Sequence, residues 1–170
     1  MSKPYPLRPF LVADTPRLQD LYAQSIEELT QDDYDEEQRL AWISRAADGA
    51  QFAERLQGAT TLLVEVDGEL LGFASLTRDN AQIDMLYVHP YAAGRGVGAA
   101  LAEALERLAG ARGAKRLTVD SSDTAREFFE RRGYEVVRRN TFPIDDVWVA
   151  NTTLTKALVA GDTEASETRS

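Results

Sequence analysis

The chain has 170 residues, 44% of them hydrophobic, with no cysteine, one histidine and a net charge of −9. The absence of cysteine excludes disulfides, thiol catalysis and zinc–thiolate sites, and one histidine excludes a histidine-rich metal centre. The acidic balance argues against nucleic acid as the main partner, and no stretch has the length of a membrane span or the pattern of a signal peptide. These features predict one cytoplasmic domain over residues 1–158, with enough apolar residues for a single sizeable core.

Leu7 to Val12 predicts a first strand, at a sheet edge because Pro6 and Pro9 lack ladder donors. Thr15 before Pro16 reads as an N-cap, and Leu18, Leu21, Tyr22, Ile26 and Leu29 follow at helical spacing. Asp35 to Gln38 reads as a capping box opening a second helix, and Gln51 to Gln57 as a short third one. Thr60 to Val66 and Glu69 to Leu76 are strands joined through Asp67-Gly68, a dipeptide suited to a two-residue hairpin turn. Ala81 to Val88 is the next strand, then a helix from Val97 to Ala109 and a strand from Arg116 to Asp120. Thr124 to Arg132 is a helix stopped by Gly133, followed by strands Tyr134 to Arg139 and Val147 to Thr155. Gly161 to Ser170 has the composition of a disordered tail. The order of the larger elements, β-α-α-β-β-β-α-β-α-β-β, is that of an α/β (α+β mixed-sheet) fold.

The most informative stretch is Ile83 to Leu101. A β-rich run ends at Val88-His89-Pro90, glycines alternate at Gly94, Gly96 and Gly98, and a helix begins at once. Glycine lets backbone approach a ligand closely, and the first N–H groups of a helix have no internal partner. Together with the helix dipole they make an anion site suited to a phosphate or pyrophosphate. No lysine follows the glycines as a P-loop requires, and their spacing is wrong for the dinucleotide fingerprint. A tight strand–helix turn without a ligand is the alternative.

Ala93-Gly94-Arg95-Gly96-Val97-Gly98 after Val88-His89-Pro90 resembles the acetyl-CoA pyrophosphate loop of the GNAT acetyltransferase superfamily. That motif reads Gln/Arg-x-x-Gly-x-Gly/Ala, and Ala93 departs from it at the first position. A second resemblance runs from Leu117 to Tyr134, where the superfamily has a strand, then Asn-x-x-Ala-x-x-Phe-Tyr-Glu-x-x-Gly-Phe/Tyr. Here Ser122 stands at the Asn and Phe129 at the Tyr. Phe128-Phe129, Asn151 to Lys156, and Tyr34 through Trp42 look most like the YafP-like branch. The resemblance covers Leu7 to Lys156. It implies a GNAT-like central mixed sheet of six or seven strands flanked by helices, with a splay between the Ala81–Val88 and Arg116–Asp120 strands. It implies acetyl-CoA as cofactor, with the pyrophosphate against Ala93, Gly94, Arg95, Gly96, Val97, Gly98 and Ala99. The pantetheine arm would pair with backbone at Leu86, Tyr87 and Val88 and run beside Ser122, Phe128 and Phe129.

Acetyl transfer to an amine needs a neutral amine held against the thioester, a path for one proton and a partner for the oxyanion. Asp84 is a carboxylate inside an apolar strand, and strict alternation places it with Leu86 and Val88. It would take the amine proton, orient a substrate ammonium, or pair with an arginine as a structural charge. Phe129 cannot protonate the leaving thiolate as a tyrosine would; Ser121, Ser122 or water are the substitutes, although both serines also suit helix capping. His89 and Arg95 stand beside the glycines; a surface role suits His89, and the backbone N–H is the expected donor at Arg95. Tyr22, Tyr34, Trp42 and Trp148 are candidates for the acceptor pocket, and the acidic run Asp32 to Glu37 for attracting a cationic acceptor. The expected function is direct acetyl transfer to an amine of a small molecule or peptide, with no nucleic-acid or membrane partner; a homodimer is compatible with the sequence. The rival readings are an acyl-CoA-binding module without turnover, and transfer of another acyl group or to oxygen.

Overall fold

The computed structural model describes residues 4–158, so the expected tail lies outside the described residues. A seven-stranded mixed sheet runs in the order β1-β2-β3-β4-β5-β7-β6. Its strands are β1 Leu7–Pro9, β2 Thr60–Val66, β3 Glu69–Leu76, β4 Gln82–Val88, β5 Arg116–Ser121, β6 Glu135–Ile144 and β7 Val147–Ala157. The helices are α1 Thr15–Leu29, α2 Glu36–Ile43, α3 Gly49–Gln57, α4 Val97–Ala111 and α5 Asp123–Arg131.

Each face of the sheet is buried under its own helices. On one face α4 and α5 cover Ala74, Leu76, Ile83, Leu117 and Leu154 with Leu101, Leu105 and Phe129. On the other, α1 and α3 cover Leu63, Phe73 and Met85 with Leu18, Leu21, Ile26 and Phe52. A third, smaller cluster joins Tyr34 to Ile144 and Val149 of the β6–β7 hairpin.

Most local expectations hold. Asp67 and Gly68 both take positive φ (52° and 81°), as the two-residue turn between β2 and β3 requires. Asp35 caps α2 with the reciprocal Gln38 bond. Three boundaries differ for identifiable reasons. Strand β1 ends at Pro9 because Asp14 accepts bonds from the Leu11 N–H and both terminal nitrogens of Arg8, which draws the chain into a tight turn. The cap position of α1 is accordingly Asp14, and Thr15 begins the helix. Strand β6 continues to Ile144 through Pro143 because it is the outer strand, where a missing N–H costs no ladder bond.

Two irregularities in β4 shape the site. Its parallel pairing with β5 is confined to Gln82 with Thr118 and Ile83 with Val119, after which the strands diverge. This is the splay expected between them. On its other side β4 carries a bulge: Met85 pairs with Ser75 and Ile83 with Leu76, so Asp84 has no partner in β3. A bulge resets alternation. Ile83, Leu86 and Val88 face α4, whereas Met85 and Tyr87 face α1. Asp84 turns with the second group, toward α3, where it meets Arg55. The expectation that Asp84 shares a face with Leu86 and Val88 is therefore overturned.

Gly72 in β3 lies directly beneath Val97 and Leu101 of α4. A Cβ there would lie 2.8 Å from Val97 Cγ1 and 3.0 Å from the Tyr87 carbonyl oxygen. Gly72→Ala is expected to destabilise the fold by about 1–3 kcal/mol, because backbone and helix must both shift to admit one methyl. Chemical denaturation of the variant beside the parent protein measures the effect.

Candidate active site

The first half of the site is the start of α4. Gly94 and Gly96 both adopt positive φ (76° and 87°), turning the chain sharply into the helix. The first helical bond runs from the Ala100 N–H to the Gly96 carbonyl, so the N–H groups of Val97, Gly98 and Ala99 have no helical acceptor. The N–H of Ala93 is taken by Pro90, and that of Arg95 reaches Ala92 at 3.3 Å. The expected backbone donor at Arg95 is thus engaged within the loop, and its guanidinium lies over the Tyr91 ring, 4.9 Å from the centroid. The Tyr5 hydroxyl donates to the Arg95 carbonyl at 2.6 Å, fastening the N-terminal segment to the loop. Gly98 faces Phe128 of α5, whose ring would lie 3.5 Å from an added Cβ. Phe128 thereby packs against the first turn of α4.

His89 is a local cap: its Nδ1 accepts from the Tyr91 N–H at 3.1 Å. It lies beside Arg17, Asp20 and Glu69, in a surface depression separate from the splay.

The second half is a cavity of about 450 Å³ that opens where β4 and β5 part. It collects Asp84, Tyr22, Tyr34, Trp42, Ser121, Ser122 and Phe129 from the sequence candidates, with Leu86 and Tyr87 of β4. Trp148 is not among its walls. It is 61% exposed, and only its carbonyl is used, accepting from Gln38. Alternation along β7 explains this: Val149 is buried, so its neighbour points outward.

Aromatic side chains interlock on the α1 side. The Trp42 indole N–H donates to the Tyr87 hydroxyl, and the Tyr22 hydroxyl donates to the Trp42 carbonyl, both at 3.1 Å. Burial raises the pKa of Tyr22 and of Tyr87, so both stay neutral. Tyr34 ties three elements together: its hydroxyl donates to the Ala150 carbonyl at 2.8 Å and accepts from the Asp123 N–H at 2.9 Å. Burial pushes its pKa up to about 12.

Both oxygens of Asp84 accept from Arg55, at 2.8 and 2.9 Å. A second carboxylate, Asp120 of β5, also lines the cavity and accepts from the Thr153 hydroxyl at 2.6 Å. Sequence reasoning passed over Asp120, although the signal was present: Leu117, Val119 and Ser121 are buried, which leaves Thr118 and Asp120 to the opposite face. It also passed over Arg45, Arg55, Arg138 and Asn140, which come from three elements and meet only in the cavity. The two serines differ. The Ser121 hydroxyl spends its proton on the Ser122 carbonyl, whereas Ser122 accepts from the Ala125 N–H as the cap of α5 and keeps its own proton to donate. Phe129, 2% exposed, packs edge-on to Tyr134 and closes the cavity floor.

Residues 30–151 match the family model described as acetyltransferase (GNAT) domain. A solved structure from Rhodopseudomonas palustris, described as a GCN5-related N-acetyltransferase (aminotransferase, class-II), is 52% identical, with a TM-score of 0.90 over 93% of this chain and 98% of that one. The uncharacterized N-acetyltransferase YafP of Escherichia coli strain K12 is 28% identical over 145 residues, 85% of this chain and 91% of that protein. PaiA N-acetyltransferase from Thermoplasma acidophilum, solved in complex with coenzyme A, has the same fold at 18% identity, with a TM-score of 0.75 over 92% of this chain and 99% of that one.

Tyr34→Phe leaves the Ala150 carbonyl and the Asp123 N–H without a shared partner. The expected loss is about 1–3 kcal/mol of stability, read as a lowered denaturation midpoint.

Proposed function

The chain belongs to the GNAT acetyltransferase family, and from that premise we propose that residues 1–158 form one N-acetyltransferase domain that moves acetyl from acetyl-CoA directly to an amine of a small molecule. The observation that carries the reading is that β4, whose divergence from β5 opens the cavity, leads directly into the glycine turn and the α4 N-terminus with its unpaired N–H groups.

The pyrophosphate would lie against the N–H groups of Val97, Gly98 and Ala99, with the glycine turn at Gly94 and Gly96 giving close approach. The pantetheine would run past Phe128 and pair with main chain of Leu86, Tyr87 and Val88, whose side toward β5 has no register partner. A backbone N–H there would polarise the thioester oxygen. The amine nitrogen attacks the carbonyl carbon, the C–N bond forms and the C–S bond breaks. The amine gives up one proton, and the thiolate takes one as coenzyme A leaves. Phe129 lacks a proton to give, so the uncommitted proton of the Ser122 hydroxyl is assigned to the leaving sulfur.

For the amine proton, two carboxylates face the acceptor side. Both oxygens of Asp84 are already engaged by the Arg55 guanidinium. Asp120 carries only the Thr153 hydroxyl bond. We assign proton removal to Asp120 and give Asp84 the task of fixing Arg55. His89, outside the cavity, takes no part.

Two measurements test this. Gly98→Glu places charge and bulk at the phosphate site without a φ penalty, and an acid in the first turn suits a helix. Calorimetry is expected to show coenzyme A affinity at least about tenfold weaker with the fold retained; unchanged affinity would refute the loop assignment. Asp120→Asn is expected to lower turnover about 10²-fold and to remove the acidic limb of the pH–rate profile, with a smaller loss in Asp84→Asn. The reverse pattern would return the base to Asp84.

A further inference from the structure

The charges around the cavity run against the charge of the chain. In a protein of net charge −9, the lining holds three arginines, Arg45, Arg55 and Arg138, against two aspartates, Asp84 and Asp120. Arg55 is matched by Asp84. Among the described residues, neither of the other two guanidinium groups has a carboxylate at ion-pair distance. Arg45 lies over the Phe142 ring, 5.4 Å from its centroid, and Arg138 donates only to the Asn140 side chain, at 3.2 Å. Fold stability gives no reason for two exposed, uncompensated arginines on separate elements to converge on one opening. The acidic run that was a candidate for drawing in a cation is used elsewhere. Asp35 caps α2, Asp33 accepts from the Thr124 hydroxyl, and no member of the run lines the cavity.

The arrangement also brings opposite charges near one another. Asp84 and Asp120 stand on β4 and β5 beside the divergence, where the thioester would lie. Arg45 and Arg138 stand on the outer elements, the turn after α2 and the outer strand β6. Asp120 and Arg138 are both register partners of Thr153 in β7, so a carboxylate and a guanidinium stand on either side of it, and the aromatic side chains of Tyr22, Trp42 and Tyr87 line the same cavity. Such a cavity matches a molecule that carries an ammonium and a carboxylate close together beside an apolar body.

We propose that the acetyl acceptor is an α-amino acid with an apolar side chain, whose carboxylate is held by Arg45 and Arg138 while its amine points toward Asp120. This rests on the acetyltransferase reading above. A guanidinium presents paired donors that fit the two oxygens of a carboxylate, and an ammonium would not replace that geometry. The aromatic walls supply apolar contact to the body of the substrate, and the arginines discriminate against an otherwise identical amine without the acid.

Matched acceptors test the proposal: tryptophan against tryptamine, and phenylalanine against phenethylamine and phenylalanine amide, each followed by thiol release from acetyl-CoA. The acids are expected to exceed their neutral partners in kcat/KM by about tenfold or more. In the Arg45→Gln, Arg138→Gln double variant that preference falls toward unity, with the loss in KM more than in kcat, and the corresponding lysine variants recover part of it. Coenzyme A affinity of the parent protein is measured by calorimetry alongside. If coenzyme A binds and neutral amines are used as well as or better than the acids, the carboxylate assignment is overturned while the acetyltransferase reading stands. The same holds if the preference survives in the double variant, or if no acid is acetylated by protein that binds coenzyme A. If coenzyme A does not bind, the reading beneath the proposal fails with it.

Discussion

Two residue pairs hold the halves of the sheet together at the place where the chemistry belongs. Gln82 with Thr118 and Ile83 with Val119 are the whole of the β4–β5 register. A longer ladder would close the opening, and none at all would leave each half with an exposed inner edge. The divergence survives because each half is held from outside. On one side β4 pairs with β3 along Gly72 to Leu76, and on the other β5 pairs with β7 from Arg116 to Ser121. Helix α4 spans the seam, burying Leu101 and Leu105 with Ile83 and Leu117. The open backbone in the middle is a consequence of sufficient packing around it.

Much of this was legible from local pattern. Strands β2 and β3 fall at their expected limits because two short, mostly apolar runs are separated by the turn residues Asp67-Gly68, and these cues act over a few positions. The glycine loop was legible for the same reason: strand end, glycines and helix start are contiguous. The acceptor half was far less so. The bulge at Asp84 depends on how β4 meets β3, and no residue within β4 announces it. Arg45, Arg55 and Arg138 belong to three elements, and what unites them is a contact pattern that a linear reading does not hold. Trp148 attracted attention as a large aromatic near the chain's end, yet the buried valine beside it already implied an outward position.

The aspartates at the opening show how environment separates like groups. Asp84 and Asp120 are identical in chemistry and lie on adjacent strands. One is locked to a guanidinium through both oxygens, the other accepts a single hydroxyl hydrogen. Thr153 is in turn a partner of Asn140, so the Asp120 carboxylate ends a short polar chain from the outer hairpin. Neighbours with this degree of difference suit carboxylates to distinct tasks without any difference in residue type.

The outer hairpin has one more property. Beyond the pair Ser121–Thr152, β7 continues only against β6, and this overhang is stabilised by its own small cluster of Tyr34, Ile144 and Val149. The wall it gives the cavity, including Phe142 and Asn140, is thus separate from the two large cores that maintain the sheet. Substitutions there change the shape of the chamber while leaving the scaffold's main energetic investment untouched. The hairpin is the part of the molecule where selectivity can drift across generations, or be redesigned at the bench, at the least risk to folding.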